Sequence, residues 1–242
     1  MKVAYMLASC AIASTAALGQ LSTFDSGPEG WRIAGPDPSS YFADPDATTG
    51  GLADWEDGSL RVFDLFAWTW VRAPFNYEGD RSSAYGGTVT FDLYLTTSDG
   101  VPYPALMLAG ATKTLLYNAP SPPIGVWTRM EIPLTEAGWR VNSYSSGAAA
   151  TAADMQAVLA DLRAVFVLTE WRTGPDDTRI DNFDFPGSCP ADFDGTGFVD
   201  TDDFTAFVLA FEAGTDDADF DGTGFVDTDD FTAFVLAFEA GC

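Results

Sequence analysis

Between Thr88 and Leu95 the chain alternates strictly, with Val89, Phe91, Leu93 and Leu95 on one side and Thr88, Thr90, Asp92 and Tyr94 on the other. A period of two marks a strand with one face on a core and one face in water. Apolar runs bounded by Gly, Pro and Asp predict further strands near 59–66, 101–109, 112–118, 126–134, 164–171 and 178–185. Ile180 is out of phase with Phe183 and Phe185, which predicts a bulge in the last of these. One helix interrupts them: Thr151 caps, Asp154 follows three residues on, and Met155, Val158, Leu159 and Leu162 form a stripe. Many short strands and one short helix predict a mainly β fold, a β-sandwich.

The pattern changes in the last quarter of the chain. Residues 191–214 and 218–241 are identical over 24 residues at a period of 27. Each copy opens with a twelve-residue loop, Asp192 to Asp203 and Asp219 to Asp230. Oxygen-bearing side chains fall at position 1 (Asp192, Asp219), 3 (Asp194, Asp221), 5 (Thr196, Thr223), 9 (Asp200, Asp227) and 12 (Asp203, Asp230). Gly197 and Gly224 stand at position 6, where the chain turns sharply, and Phe198 and Phe225 at position 7 offer a backbone carbonyl. This is the spacing of a calcium loop, because Ca²⁺ takes six to eight hard oxygens in a flexible cage. Thr at position 5 and Asp, not Glu, at position 12 depart from the usual pattern. After each loop, Phe204, Phe207, Val208 and Phe211, and their repeats, make an apolar helical stripe that ends at Gly214. No helix is expected before the first loop, so each unit is a loop with one exiting helix. Two such units pack stripe against stripe. Leu209 and Leu236 lie off the stripe and are expected to be exposed.

Composition narrows the chemistry. There are 36 Asp and Glu against 11 Lys and Arg and no His, a formal charge of −25 over 242 residues. The absent imidazole excludes Ser-His-Asp and Cys-His catalysis and His-bearing zinc sites. The acidity argues against nucleic acid and anionic lipid as partners, whose phosphates call for cations. The segment 189–242 carries 14 acids and no base, so a metal cation is its natural counter-charge. At the other end, Lys2, an uncharged stretch from Val3 to Leu18 and the small residues Ala17 and Gly19 read as a secretory signal peptide, residues 1–19. No second apolar run is long enough to span a membrane. A secreted or cell-surface protein is therefore expected. Removing Cys10 with the leader leaves Cys189 and Cys242, which bracket the tail and are expected to form a disulfide.

The duplicated loop-helix tail, residues 187–242, resembles a type I dockerin. The resemblance implies that Thr201-Asp202 and Thr228-Asp229 contact a cohesin-type partner, and Leu209 and Leu236 stand beside them. The body, residues 20–186, resembles a laminin B (laminin IV type A) domain. That likeness is carried by Trp70-Val71-Arg72-Ala73-Pro74-Phe75, Gly79-Asp80, Ser83-Ala84-Tyr85-Gly86-Gly87, Thr169-Glu170-Trp171 and Ile180-Asp181-Asn182-Phe183. It implies a jelly-roll-like sandwich and no catalytic residue, and so an extracellular glycan or matrix protein as ligand. The fold class is then a jelly-roll-like β-sandwich with one short helix, followed by a small α-helical dockerin-like domain.

Three further expectations concern chemistry in the body. Trp55, flanked by acids, is the candidate exposed ring for ligand binding. Asp25 near the first strand and Asp181 in the last would share a third, structural calcium if those strands meet. Glu131, Glu136 and Glu170 are the carboxylates from which an alternative, a polysaccharide-degrading glycosidase, would draw its pair.

Overall fold

The computed structural model describes residues 20–41, 44–45, 48–187, 191–194, 199–221, 223 and 225–240. The leader 1–19, Cys189, Cys242, Thr196 and Phe198 lie outside the described residues.

Two antiparallel sheets face each other. The first contains β1 (Gln20–Ser22), β4 (Trp55–Glu56), β5 (Ser59–Phe63), β7 (Thr88–Leu95), β10 (Thr128–Pro133) and β13 (Asp177–Phe185). Its order is β10-β7-β13-β5-β4, with β1 also paired to β13. The second contains β2 (Arg32–Ala34), β3 (Thr49–Leu52), β6 (Trp70–Arg72), β8 (Tyr103–Gly110), β9 (Thr114–Ala119), β11 (Trp139–Val141) and β12 (Leu162–Leu168). Its order is β11-β9-β8-β12-β6-β2-β3.

The alternation of β7 does what its pattern requires: Val89, Phe91, Leu93 and Leu95 are fully buried between the sheets while their neighbours are only half-covered or exposed. In β8 the run from Pro104 to Gly110 is buried throughout, because α1 (Ala152–Leu159) covers its outer face. The approach is close. A Cβ on Gly110 would lie 3.1 Å from the Val158 Cα. The helix starts at the expected capping box, with Thr151 and Asp154 exchanging hydrogen bonds. At the end of the sandwich near β1, Phe24, Trp31, Tyr77 and Phe183 meet edge to face, with Trp31 and Phe183 centroids 4.8 Å apart. The irregularity of β13 falls between Asp181 and Asp184, with Asn182 at φ 49°, and so re-phases Phe183 and Phe185 onto the core.

The tail has its own core. Helices α2 (Thr201–Ala213) and α3 (Thr228–Ala240) face each other through Phe207 and Phe234, with Ala218 buried beside them. Gly214 ends α2 in the left-handed conformation, at φ 64°. A short 3-10 turn, Asp216–Ala218, leads into the second loop and rests on another, Phe75–Tyr77, of the sandwich. The connection between the units is held down: the Ser83 hydroxyl donates to the Gly187 carbonyl at 2.9 Å.

Candidate functional site

The outer face of the first sheet is assembled by register. Arg179 lies opposite Arg61 on one side and Tyr94 on the other, and Asp92 lies between Asp181 and Arg129. Side chains directly opposite share a face. Each arginine is held. Arg61 forks onto Asp177, 2.7 Å at the shortest, and also meets Glu56, which in turn accepts from Arg179 at 2.7 Å. The Arg61 guanidinium also lies 4.8 Å from the centre of the Phe63 ring. Arg129 reaches Asp92, the Thr90 hydroxyl and the Asn182 carbonyl. Beside this charge lattice stand two rings, Tyr94 and Trp127, with centroids 5.5 Å apart and Trp127 45% exposed. The result is a polar face with fixed donors and acceptors and an aromatic patch.

Trp55 is not part of that patch. It lies on the edge strand β4 opposite the buried Leu60, and its indole N–H is bound by the Phe24 carbonyl. The ring is 42% exposed at the rim of the sheet. The rings on the face, Tyr94 and Trp127, sit in different strand regions, and only pairing of β7 with β10 brings them together.

The three glutamates do not converge. Glu131 is exposed on β10 opposite Thr90, and Glu136 accepts from the Tyr85 hydroxyl at 3.1 Å. Glu170 is 7% exposed and accepts from the Thr69 N–H at 3.3 Å. Its neighbours are Asp64 and Asp176, two acids that the sequence pattern does not single out. Burial first, then repulsion from Asp64 and Asp176, pushes the Glu170 carboxyl up to about 7. Burial likewise raises Asp176 to about 6, against the Trp171 N–H that it accepts at 2.8 Å.

In the tail the loops gather three carboxylates each. Ligand oxygens of Asp192, Asp194 and Asp203 lie within 4.8 Å of one another, as do those of Asp219, Asp221 and Asp230. The last member of each triad is fully buried and holds the loop in shape. Asp203 accepts from the Asp194 and Asp200 N–H groups at 3.0 and 2.8 Å, and Asp230 accepts from Asp221 and Asp227 at 3.0 and 2.7 Å. Asp200 and Asp227 turn instead to the helix starts, accepting from Asp202 and Asp229 at 2.8 Å each. Thr223 donates its N–H to Asp221, and the Phe225 side chain is 74% exposed. Three hard carboxylate oxygens at this spacing fit a cation of the calcium type.

Asp25 and Asp181 do come near each other, since β1 pairs with β13 and the charge of Asp25 acts on Asp181. Burial raises the Asp181 carboxyl above its ordinary range. Among the described residues, groups of three or more acids at metal-ligand spacing are the two tail triads, and Asp25 and Asp181 belong to neither. Thr201, Asp202 and Leu209, with Thr228, Asp229 and Leu236, are all exposed, and the two leucines are 62% and 63% accessible.

The body is thus a two-sheet antiparallel sandwich whose first sheet carries a fixed polar face with an aromatic patch. The family model for Laminin B (Domain IV) matches residues 70–186. Laminin subunit alpha-1 of Homo sapiens is 28% identical over 116 residues, which is 45% of this chain and 4% of that protein. Its counterpart in Mus musculus is 28% identical over 150 residues, 59% of this chain and 5% of that protein. The chain thus spans a small fraction of the length of the curated relatives it matches. Among solved structures, the L4b domain of human laminin alpha-2 superposes with a TM-score of 0.55 at 16% identity, covering 69% of this chain and 97% of that domain. These matches place laminin B-like sequence at residues 70–186 and a laminin-type sandwich fold in the body of the chain. No described helix is long and apolar enough to cross a membrane.

Proposed function

We propose that this is an exported, non-catalytic binding protein whose sandwich takes an extracellular glycan on the outer face of the first sheet. In this reading the tail, loaded with two Ca²⁺, attaches the sandwich to a cohesin-type partner. The observation that carries the sandwich half is the Tyr94–Trp127 pair beside the Arg61, Arg179 and Arg129 network. Aromatic faces suit the C–H surface of a sugar ring, and the fixed arginines and acids offer hydrogen bonds to its hydroxyls. A matrix protein on the same face is the second reading, favoured by the laminin match at residues 70–186. For the tail, the support is the two acid triads at calcium-loop spacing and the open Thr201 and Thr228 surfaces.

Screening the full chain against glycan and matrix-protein arrays, alongside Trp127→Ala and Tyr94→Ala, tests the sandwich reading. Both substitutions should abolish most binding to whichever class responds while the fold stays intact. Binding that survives both removes the outer face as the site.

A further inference from the structure

The two calcium loops are identical residue for residue, yet the sandwich meets them differently. Asp192 and Asp194 of the first loop line a cavity of about 270 Å³ whose other wall includes Asn76, Glu78, Asp80 and Arg81. Arg81 is 5% exposed. Its guanidinium donates to the carbonyls of Asn76 and Asp80 at 2.9 and 3.3 Å, and its buried Nε has no hydrogen-bond partner. Of the carboxylates whose charge acts on it, Asp192 comes first, ahead of Asp80 and Glu78. The second loop faces other cations. Asp219 shares a small cleft of about 30 Å³ with Arg32 and Arg72. Arg72 is as buried as Arg81, at 4% exposed, but its charge is paired with Glu78 at 2.8 Å, and Arg32 is half-exposed.

These differences matter for a divalent ion. A buried guanidinium keeps its charge and is poorly screened, so it opposes a second cation arriving beside it. A paired or solvated arginine opposes it far less. We propose that Arg81 makes the two identical loops unequal, lowering the calcium affinity of the first below that of the second. The tail then loads in order, second loop before first. This rests on the calcium reading of the loops given above.

The test uses the full chain with calcium itself as the probe, titrated in competition with a chelating indicator dye. Asp203→Asn leaves the second loop able to bind and Asp230→Asn leaves the first, two changes of matched local chemistry. The chain that keeps the first loop should bind on the order of fivefold more weakly. Adding Arg81→Gln to it should bring the pair within about twofold. Should Arg81→Gln unfold the sandwich, Asp80→Asn serves in its place. It retains an oxygen for the Ser82 N–H, bound at 2.9 Å, but removes a negative charge from the same wall and should widen the gap. Equal affinities in the two single-loop chains, or a gap that neither substitution moves, overturn the ordering and leave calcium binding standing. If neither chain binds calcium, the reading of the loops falls and the ordering falls with it.

Discussion

Phe207 and Phe234 lie face to face, with ring centroids 4.0 Å apart and planes 7° from parallel. They occupy the same place in the two repeats, so the contact marks the approximate two-fold relation between the loop-helix units. Phe193 and Phe220, again repeat equivalents, stand edge-on against the stacked pair. Among the described residues, the buried apolar cluster between the tail helices is small: Phe207, Phe234 and Ala218. Phe207→Ala should therefore destabilise the tail by about 3–5 kcal/mol. Leu209→Ala, on an exposed side chain, should cost less than about 0.5 kcal/mol. Thermal melts of the helical signal in calcium-saturated full chain measure both.

Removing the metal should act on the tail alone. Each triad holds three carboxylates within 4.8 Å, and their repulsion is relieved either by Ca²⁺ or by opening of the loop. Adding a chelator should diminish the far-ultraviolet helical signal of α2 and α3. The near-ultraviolet signal of the buried Trp31, Trp70, Trp139 and Trp171 should be unchanged, because these lie in the sandwich core. Helicity that is indifferent to chelator refutes coupled folding.

Docking through the tail should tolerate loss of one repeat's surface. The sandwich covers the starts of both loops but leaves Thr201, Asp202 and Leu209, and Thr228, Asp229 and Leu236, open. A partner that fits one surface fits the other after a half-turn. Thr201→Arg with Leu209→Asp should then cost about 0.4 kcal/mol in affinity for a cohesin-type partner, the value of one lost orientation out of two. Disrupting both surfaces should abolish binding. Calorimetric titration distinguishes this from a single used surface, for which one of the two double variants would lose nearly everything.

The sandwich should be less stable in mild alkali than in mild acid. Glu170 is raised from 4.5 to about 7 and Asp176 from 3.8 to about 6. A raised carboxyl binds its proton more tightly in the folded state. Its stabilising contribution is present in full below the unfolded value and is lost as pH climbs through the folded one. The sandwich melting temperature should fall between pH 5 and pH 8. Glu170→Gln keeps an acceptor for the Thr69 N–H and removes the charge, so it should raise the melting temperature at pH 8 and flatten the slope. A wild-type melting temperature that rises across this window contradicts the raised values.

Much of this molecule is legible along the chain. The alternation of Thr88–Leu95, the Thr151 capping box, the twelve-residue spacing of the acids and the exposed position of Leu209 are all local properties. One strand's exposure or one helix's stripe writes them directly into neighbouring residues. The shortest strands, β1, β2, β4, β6 and β11, have only two or three residues each. A period cannot declare itself over so few positions.

Tertiary structure alone decides what meets across the sheets and at the seam. Arg61, Tyr94, Trp127 and Arg179 come from four separated segments, and antiparallel register places them on one face. The same non-local pairing leaves Trp55 at the rim, sets Glu170 against Asp64 and Asp176, and brings Arg81 to the first of two loops that are the same in sequence. Local pattern reports how a residue faces its own core or solvent. Which distant charge lies opposite it depends on strand order and packing, and these are properties of the whole fold.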